Sequence, residues 1–386
     1  MIETRDALRT RPATDALERI ETPALLLDGD KLERNCRAMR GRLAPHGVTL
    51  RPHVKTAKCV EVAECALDEP SGPITVSTLR EAEYFADHGF KDILYAVGMV
   101  PHKVPRLAAI AKRGVKVSAI VDSVEAARGL VSATGKGGVQ IPALIEIDSD
   151  GHRAGVRADD PRLFEIASAL GSSLGGVMTH AGESYNCANT EAIEAMAARE
   201  REAVVAAARA LQDRGRPCAV VSVGSTPTAT FGRSFVGVTE VRVGVYVFQD
   251  LVMAGLGVCG LGDIALSVLA TVIGHQREKN WLITDAGWMA LSRDRGTAGQ
   301  KVDQGYGVVC EPSGRPIDAL IVTEANQEHG IVARRDGGPI DFARFPIGSR
   351  LRVLPNHACA TAAQFPEYHV LREGRPVAVW ERFSGW

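Results

Sequence analysis

The sequence predicts an α/β chain of two domains: a (β/α)8 barrel of the TIM type, followed by a mostly antiparallel β domain. Three observations predict it. Short runs rich in Val, Ile and Leu alternate with longer Ala/Glu/Arg-rich amphipathic stretches through the first two-thirds of the chain, the pattern of a parallel sheet covered on both faces. Eight such runs recur about every 28 residues, close to the share that about 250 residues give each of eight strand–helix units. After residue 255 the long helical stretches become rare, and apolar strands alternate with Gly/Asp/Arg turns. An open doubly wound sheet is the competing arrangement of the same elements.

The eight runs are 23–28, 48–53, 74–78, 93–97, 115–122, 141–148, 175–180 and 219–223. Between them lie helical patterns such as 79–88, 105–113, 124–134 and the long 191–213. Together they place the barrel over 22–255. Strands at 266–274, 281–285, 320–322, 330–333, 351–354, 368–371 and 377–380 then build the β domain over 256–386, and the polar residues 1–21 reach across to join it. A length of 386 residues, about twice the usual 100–200 per domain, agrees with two domains.

Composition excludes several classes. Lys+Arg number 45 against 46 Asp+Glu, so no net charge draws the chain to nucleic acid or to an anionic membrane. Hydrophobic content of 45% with 24% charged residues is that of an ordinary globular protein. No apolar stretch reaches the ~18 residues of a membrane span, and the N-terminus carries no apolar signal core. The eight cysteines form no Cys-x-x-Cys pair and read as reduced thiols. The expectation is a cytoplasmic protein with no membrane partner.

Barrel chemistry gathers at the C-terminal ends of the strands. The second run ends in Arg51-Pro52-His53-Val54-Lys55-Thr56. Lys55 there is either a Schiff-base lysine, activated by desolvation and by cations such as Arg51 and Lys58, or a solvated residue at a strand–loop junction. The sixth ends in Glu146-Ile147-Asp148-Ser149-Asp150-Gly151-His152-Arg153, a ligand-facing loop or a plain turn. The seventh ends in Thr179-His180-Ala181-Gly182-Glu183-Ser184-Tyr185, where His180 is structural or catalytic. The eighth ends in Gly224-Ser225-Thr226, small residues that let backbone N–H groups approach an oxyanion, and the last strands of a barrel are a frequent phosphate site. A lysine, a phosphate cradle and polar side chains on one rim suit a carbonyl cofactor with a phosphate handle, pyridoxal 5'-phosphate. In the β domain, His357-Ala358-Cys359 sets an imidazole and a thiol two residues apart, on one side of an extended chain. The pair reads as two ligands of an open, catalytic metal site, or as a buried Cys beside a hydrogen-bonded His.

Longer segments carry a resemblance. RPHVKT at 51–56, EIDSDGHRAGV at 146–156, THAGESY at 179–185, VSVGSTPTA at 221–229 and PNHACAT at 355–361 resemble the D-serine dehydratase-like family of pyridoxal-phosphate enzymes. These have the alanine racemase fold type and count D-threonine aldolases among their relatives. The resemblance runs from about residue 22 to the C-terminus. It implies that Lys55 carries the cofactor, that Gly224, Ser225 and Thr226 hold its phosphate, and that His180 and Tyr185 line it. It implies a ring-nitrogen partner in Arg153 or Arg242, the latter within a segment similar to the arginine segment of alanine racemases. It also implies a divalent metal on His357 and Cys359. Zn2+ is favoured by the thiolate, with Mn2+ or Co2+ as further candidates.

The activity implied is a lyase that eliminates water from a 3-hydroxy-D-amino acid, such as 3-hydroxy-D-aspartate or D-serine, giving a 2-oxo acid and ammonia. Lys55 would remove the Cα proton and the metal would draw off the 3-hydroxyl. An arginine at the ring nitrogen would disfavour its protonation and so weaken the electron sink, which makes metal assistance more necessary. The aldolases similar to this chain tend to have Asp where Cys359 stands, which favours the dehydratase over a retro-aldol reaction. A non-catalytic pyridoxal-phosphate carrier needs no metal pair. A racemase needs an acid/base on each face of the cofactor, which a metal-bound Cys359 would not supply. The fold type implies a homodimer.

Overall fold

A computed structural model describes residues 10–12 and 16–386. The chain divides into two compact units. One comprises Cys36–Gly244 with Gly385–Trp386, the other Met1–Asn35 with Val245–Ser384. This division falls after Asn35, inside the helix Gly29–Leu43, and after Gly244.

The first unit is an eight-stranded, wholly parallel sheet. Its strands run in spatial order Thr49–Leu50, Glu240–Val241, Val220–Val223, Leu174–Thr179, Ala143–Ile147, Lys116–Val121, Asp92–Gly98 and Pro73–Val76. The two edges meet through a parallel bridge between His53 and Thr75, with Val54 N–H donating to the Thr75 carbonyl at 2.9 Å and Thr75 N–H to the Pro52 carbonyl at 2.8 Å. The sheet is thus a nearly closed barrel, as expected, with all strand C-termini on one rim. Leu94, Ile120, Leu144 and Met178, from four successive strands, pack as one apolar cluster.

Helices follow the strands where the sequence supplies caps. Thr78 accepts from Glu81 N–H ahead of Leu79–Asp87, and Ser123 and Asn189 cap Val124–Gly137 and Thr190–Gln212 in the same way. Thr190–Gln212 buries Ile193, Met196, Ala197, Val204, Ala208 and Leu211 along one face, with Glu200 in the same stripe.

One expected barrel strand belongs elsewhere. Ala24–Asp28 pairs antiparallel with 266–269 and parallel with 369–371 in the second unit. Its apolar run, Ala-Leu-Leu-Leu, has the composition of a buried parallel strand, which is why the sequence places it in the barrel. The eighth barrel strand is Glu240–Val241, too short to show a pattern.

The second unit is a ten-stranded sheet. Its strands Leu266–Gln276, Trp281–Thr284, Gly330–Arg334, Pro316–Ala325, Val308–Cys310 and Arg350–Leu354 pair antiparallel in that order, and the last returns to the first to close a ring. Thr10–Pro12 pairs with Arg375–Glu381 at the outer edge, so part of the N-terminal segment does join this sheet. Leu251, Ile264, Val308, Cys310, Ile321 and Leu354 form one core cluster. Among the described residues, no helix is long and apolar enough to cross a membrane.

Candidate active site

Because every strand of the barrel runs the same way, the strand-end residues singled out from the sequence gather on one rim. Lys55 follows Thr49–Leu50 in a turn and its side chain is exposed. Its position is fixed by the backbone on both sides: His53 N–H donates to the Val243 carbonyl at 2.7 Å, and Val54 N–H to the Thr75 carbonyl. The cations expected to act on Lys55 are engaged elsewhere. Arg51 is buried and bonds Glu240 and Asp92, each at 2.7 Å, and Lys58 Nζ lies 3.0 Å from the buried carboxylate of Glu81.

The ionisable groups that do face this corner are Lys55, Arg242 and two imidazoles. His53 Nδ1 is out of reach of solvent and has no hydrogen-bond partner. Burial, then Lys55 and Arg242, hold His53 well below the usual histidine range. His180 donates from Nδ1 to the Gly224 carbonyl, which leaves Nε2 as acceptor. Burial, assisted by Lys55 and Arg242 against the bond to Gly224, lowers His180 to about 3. Both rings are therefore neutral at physiological pH. The Tyr185 ring lies 6.4 Å from that of His180, inclined at 48°.

Gly224, Ser225 and Thr226 follow Val220–Val223, the strand beside Glu240–Val241. A β-carbon on Gly224 would stand 1.8 Å from the Arg242 carbonyl oxygen. Ser225 caps Thr226–Phe231 by accepting from Thr228 N–H at 3.2 Å, and its Oγ lies 2.8 Å from Ser184 Oγ and 2.9 Å from Thr228 Oγ1. Thr226 Oγ1 is buried and has no partner in the protein. A free buried hydroxyl in a glycine-opened turn is what a phosphate oxygen would satisfy, so these residues fit the cofactor.

The two arginines differ. Arg242 is 5% exposed and donates to Ser222 Oγ and, at 2.5 Å, to the Thr179 carbonyl. The Arg153 side chain is 59% exposed and meets the buried Glu146 at 3.3 Å. Glu200 was not singled out from the sequence. It is 2% exposed and accepts from Ala181 N–H at 3.1 Å and Gly224 N–H at 2.9 Å on one oxygen, and from Thr228 Oγ1 at 2.6 Å on the other. Burial pushes its pKa up, against those three donors. A lone acid in the apolar stripe of Thr190–Gln212 was the available signal.

In the second unit, His357 and Cys359 do meet, by a different route from the extended chain expected. His357 is the last extended residue before the short helix Ala358–Ala362, and the helical turn brings Cys359 back to hydrogen-bond its ring. Asp294 Oδ2 accepts from His357 Nδ1 at 2.6 Å. Burial opposes charge on the ring, but the bonds to Asp294 and Cys359 outweigh it and push His357 up to about 11. Asp250, fully buried, accepts from Ala358 N–H and Met253 N–H, both at 2.9 Å, and so ties the turn to Leu251–Gly255. Asp294 and Asp250 were also missed, being far from the pair in sequence. An imidazole and a thiol suit a thiophilic dication, with Asp294 orienting the ring. Among the described residues no three or more His, Cys, Asp or Glu side chains form a ready metal cage.

The chain matches two family models, alanine racemase N-terminal domain over residues 27–251 and serine dehydratase domain over 265–371. It is 54% identical to D-threo-3-hydroxyaspartate dehydratase of Delftia sp. (strain HT23), over 96% of this chain and 100% of that protein. It is 31% identical to D-serine dehydratase of Dictyostelium discoideum, over 94% and 96%. It is 30% identical to 3-hydroxy-D-aspartate aldolase of Paracoccus denitrificans, over 96% and 93%. The solved structure of the Delftia dehydratase superposes with a TM-score of 0.94 at 54% identity, over 97% of this chain and 100% of that one. Two further structures are alanine variants of D-threo-3-hydroxyaspartate dehydratase at a histidine and at a cysteine two positions later, and the cysteine variant is described as the metal-free form. The chain belongs to the family that joins an alanine racemase N-terminal domain to a serine dehydratase domain.

Proposed function

We propose that the chain is a pyridoxal-phosphate- and divalent-metal-dependent dehydratase that converts a 3-hydroxy-D-amino acid, 3-hydroxy-D-aspartate or D-serine, to a 2-oxo acid and ammonia. The observation that carries this reading is 54% identity along the whole of D-threo-3-hydroxyaspartate dehydratase. Lys55, Gly224, Ser225 and Thr226 on one rim, and His357 with Cys359 in the second unit, supply the residue types the reaction needs.

When bound, pyridoxal phosphate supplies an electron sink for a developing carbanion and the metal supplies a Lewis acid for a hydroxide leaving group. The chain's own part is positioning and proton transfer. Lys55 Nζ is the base for the Cα proton, on a turn pinned at His53 and Val54. Thr226 Oγ1 is the hydroxyl free to donate to the phosphate. Neutral His53 and His180 add no positive charge beside Lys55. Arg242, held by Ser222 and Thr179, and Arg153 bring fixed and adjustable positive charge to an anionic ligand. Tyr185 and His180 line the cofactor's place. His357 and Cys359 hold the metal, Zn2+ before Mn2+ or Co2+ because of the thiol.

The eight free cysteines support a reducing, cytoplasmic setting, and a homodimer belongs to the same reading. Retro-aldol cleavage is the second reading, favoured by the relationship to the aldolase of Paracoccus denitrificans. Product analysis with 3-hydroxy-D-aspartate, D-serine and D-threonine decides. Ammonia with a 2-oxo acid is the expected outcome, and glycine with an aldehyde overturns the dehydratase.

A further inference from the structure

The ladder between Leu174–Thr179 and Val220–Val223 ends at the Met178–Ser222 pair. Beyond it the two strands part into the loops that carry His180 and Gly224, and the buried N–H groups of Ala181 and Gly224 lose their strand partners. A buried N–H left unpaired is costly, so something must replace the ladder there. Glu200 does, from the helix that packs over both strands, by accepting from both groups on a single oxygen.

We propose that Glu200 is the positioning residue of the phosphate cradle, spacing its two loops by a carboxylate oxygen shared between Ala181 and Gly224. Its second oxygen sets the hydroxyls. A carboxylate only accepts, so the Thr228 hydroxyl hydrogen points to Glu200. Thr228 Oγ1 then accepts from Ser225, and Ser225 Oγ accepts from Ser184 and from Thr228 N–H. Ser225 is thereby consumed inside the protein, and Thr226 keeps the only uncommitted hydroxyl of the turn. The inference rests on the reading of 224–226 as a phosphate cradle.

The test titrates cofactor-free protein with pyridoxal 5'-phosphate and with pyridoxal, followed by absorbance, and takes the ratio of the two Kd values as the contribution of the phosphate. Glu200→Asp keeps the charge but is one methylene too short to reach both loops, and its ratio falls about tenfold, the effect of one misplaced buried hydrogen bond. Glu200→Gln loses the charge but keeps one accepting oxygen for Ala181 and Gly224, with its amide NH2 donating to Thr228 Oγ1 in place of the second oxygen, and its ratio stays within about threefold of wild type. An unchanged ratio in Glu200→Asp overturns the proposal. An equal fall in both variants also overturns it, since charge and not reach would then matter. A wild-type ratio near one sinks the cradle reading itself, whatever the variants do. If Glu200→Asp does not fold, native-state hydrogen exchange of the wild type decides. The Ala181 and Gly224 amides are then protected like those of Met178 and Val223, and fast exchange overturns the proposal.

Discussion

Gly224 presses its α-carbon so closely against Arg242 that a β-carbon would lie 1.8 Å from the Arg242 carbonyl oxygen and 2.7 Å from its carbonyl carbon. Both atoms are backbone, so no side chain can move aside. Gly224→Ala must push the 224–226 turn away from Glu240–Val241. The expected cost is about 3 kcal/mol in stability. Affinity for pyridoxal phosphate falls with it, because Thr226 moves with the turn. Denaturant unfolding and cofactor titration check both, and a variant with wild-type stability would show that the strands can part here freely.

Arg51 and Glu240 form an ion pair at 2.7 Å with both side chains under a tenth exposed, and Asp92 and Ser222 complete it at 2.7 Å each. A buried charge left alone is worse than a pair removed together. Arg51→Met is therefore expected to cost about 3–5 kcal/mol, and Arg51→Met with Glu240→Leu less than the sum of the two single changes. Urea unfolding of the three proteins measures the coupling. Additive losses would show that the two residues do not interact.

How far the sequence reaches depends on the length of the pattern each element carries. The barrel, its parallel sheet and the long helix Thr190–Gln212 are visible because periodicity accumulates over many residues. Glu240–Val241 has two residues and no period, so the eighth strand passed to the apolar 24–28 instead. Site residues were legible where they sit next to one another, as in Gly224-Ser225-Thr226 or His357-Ala358-Cys359. Glu200 and Asp294 act across 24 and 63 positions on Gly224 and His357, and no local pattern joins residues so far apart. Arg51 shows the opposite error. Its neighbourhood to Lys55 in sequence suggested a role there, while the strand pleat turned it to Glu240 and Asp92.

His180, lowered to about 3 by burial, stays neutral in the folded chain under conditions where the unfolded chain takes up a proton. Its folded pKa lies below the unfolded value near 6.5, so its stability contribution is complete above pH 6.5 and is lost as the pH falls from there toward 3. The slope is about 1.4 kcal/mol per pH unit for one histidine. His53 acts in the same direction. Urea unfolding of cofactor-free protein at pH 7, 6 and 5 should show this loss, and His180→Gln should be shallower by one proton. Equal slopes in the two proteins would mean that His180 titrates normally when folded.

On the proposed reading of His357 and Cys359 as metal ligands, Asp294 decides how well the pair holds the ion. By accepting from Nδ1 at 2.6 Å it leaves a cation the Nε2 side of the His357 ring, and it fixes the plane of that ring. The same contact, with Cys359, favours a protonated ring when no metal is present, so a metal must displace that proton. With only two ligands from the chain, orientation counts for more than in a closed cage. Asp294→Asn is expected to lower metal affinity about 10–100-fold, and His357→Ala or Cys359→Ala to abolish stoichiometric binding. Metal content after dialysis against graded chelator measures the first, and elemental analysis the second. Pyridoxal phosphate titration, expected to be unchanged in all three, reports that the barrel is intact. An Asp294→Asn protein that holds its metal as wild type does would leave Asp294 a surface partner of His357 and nothing more.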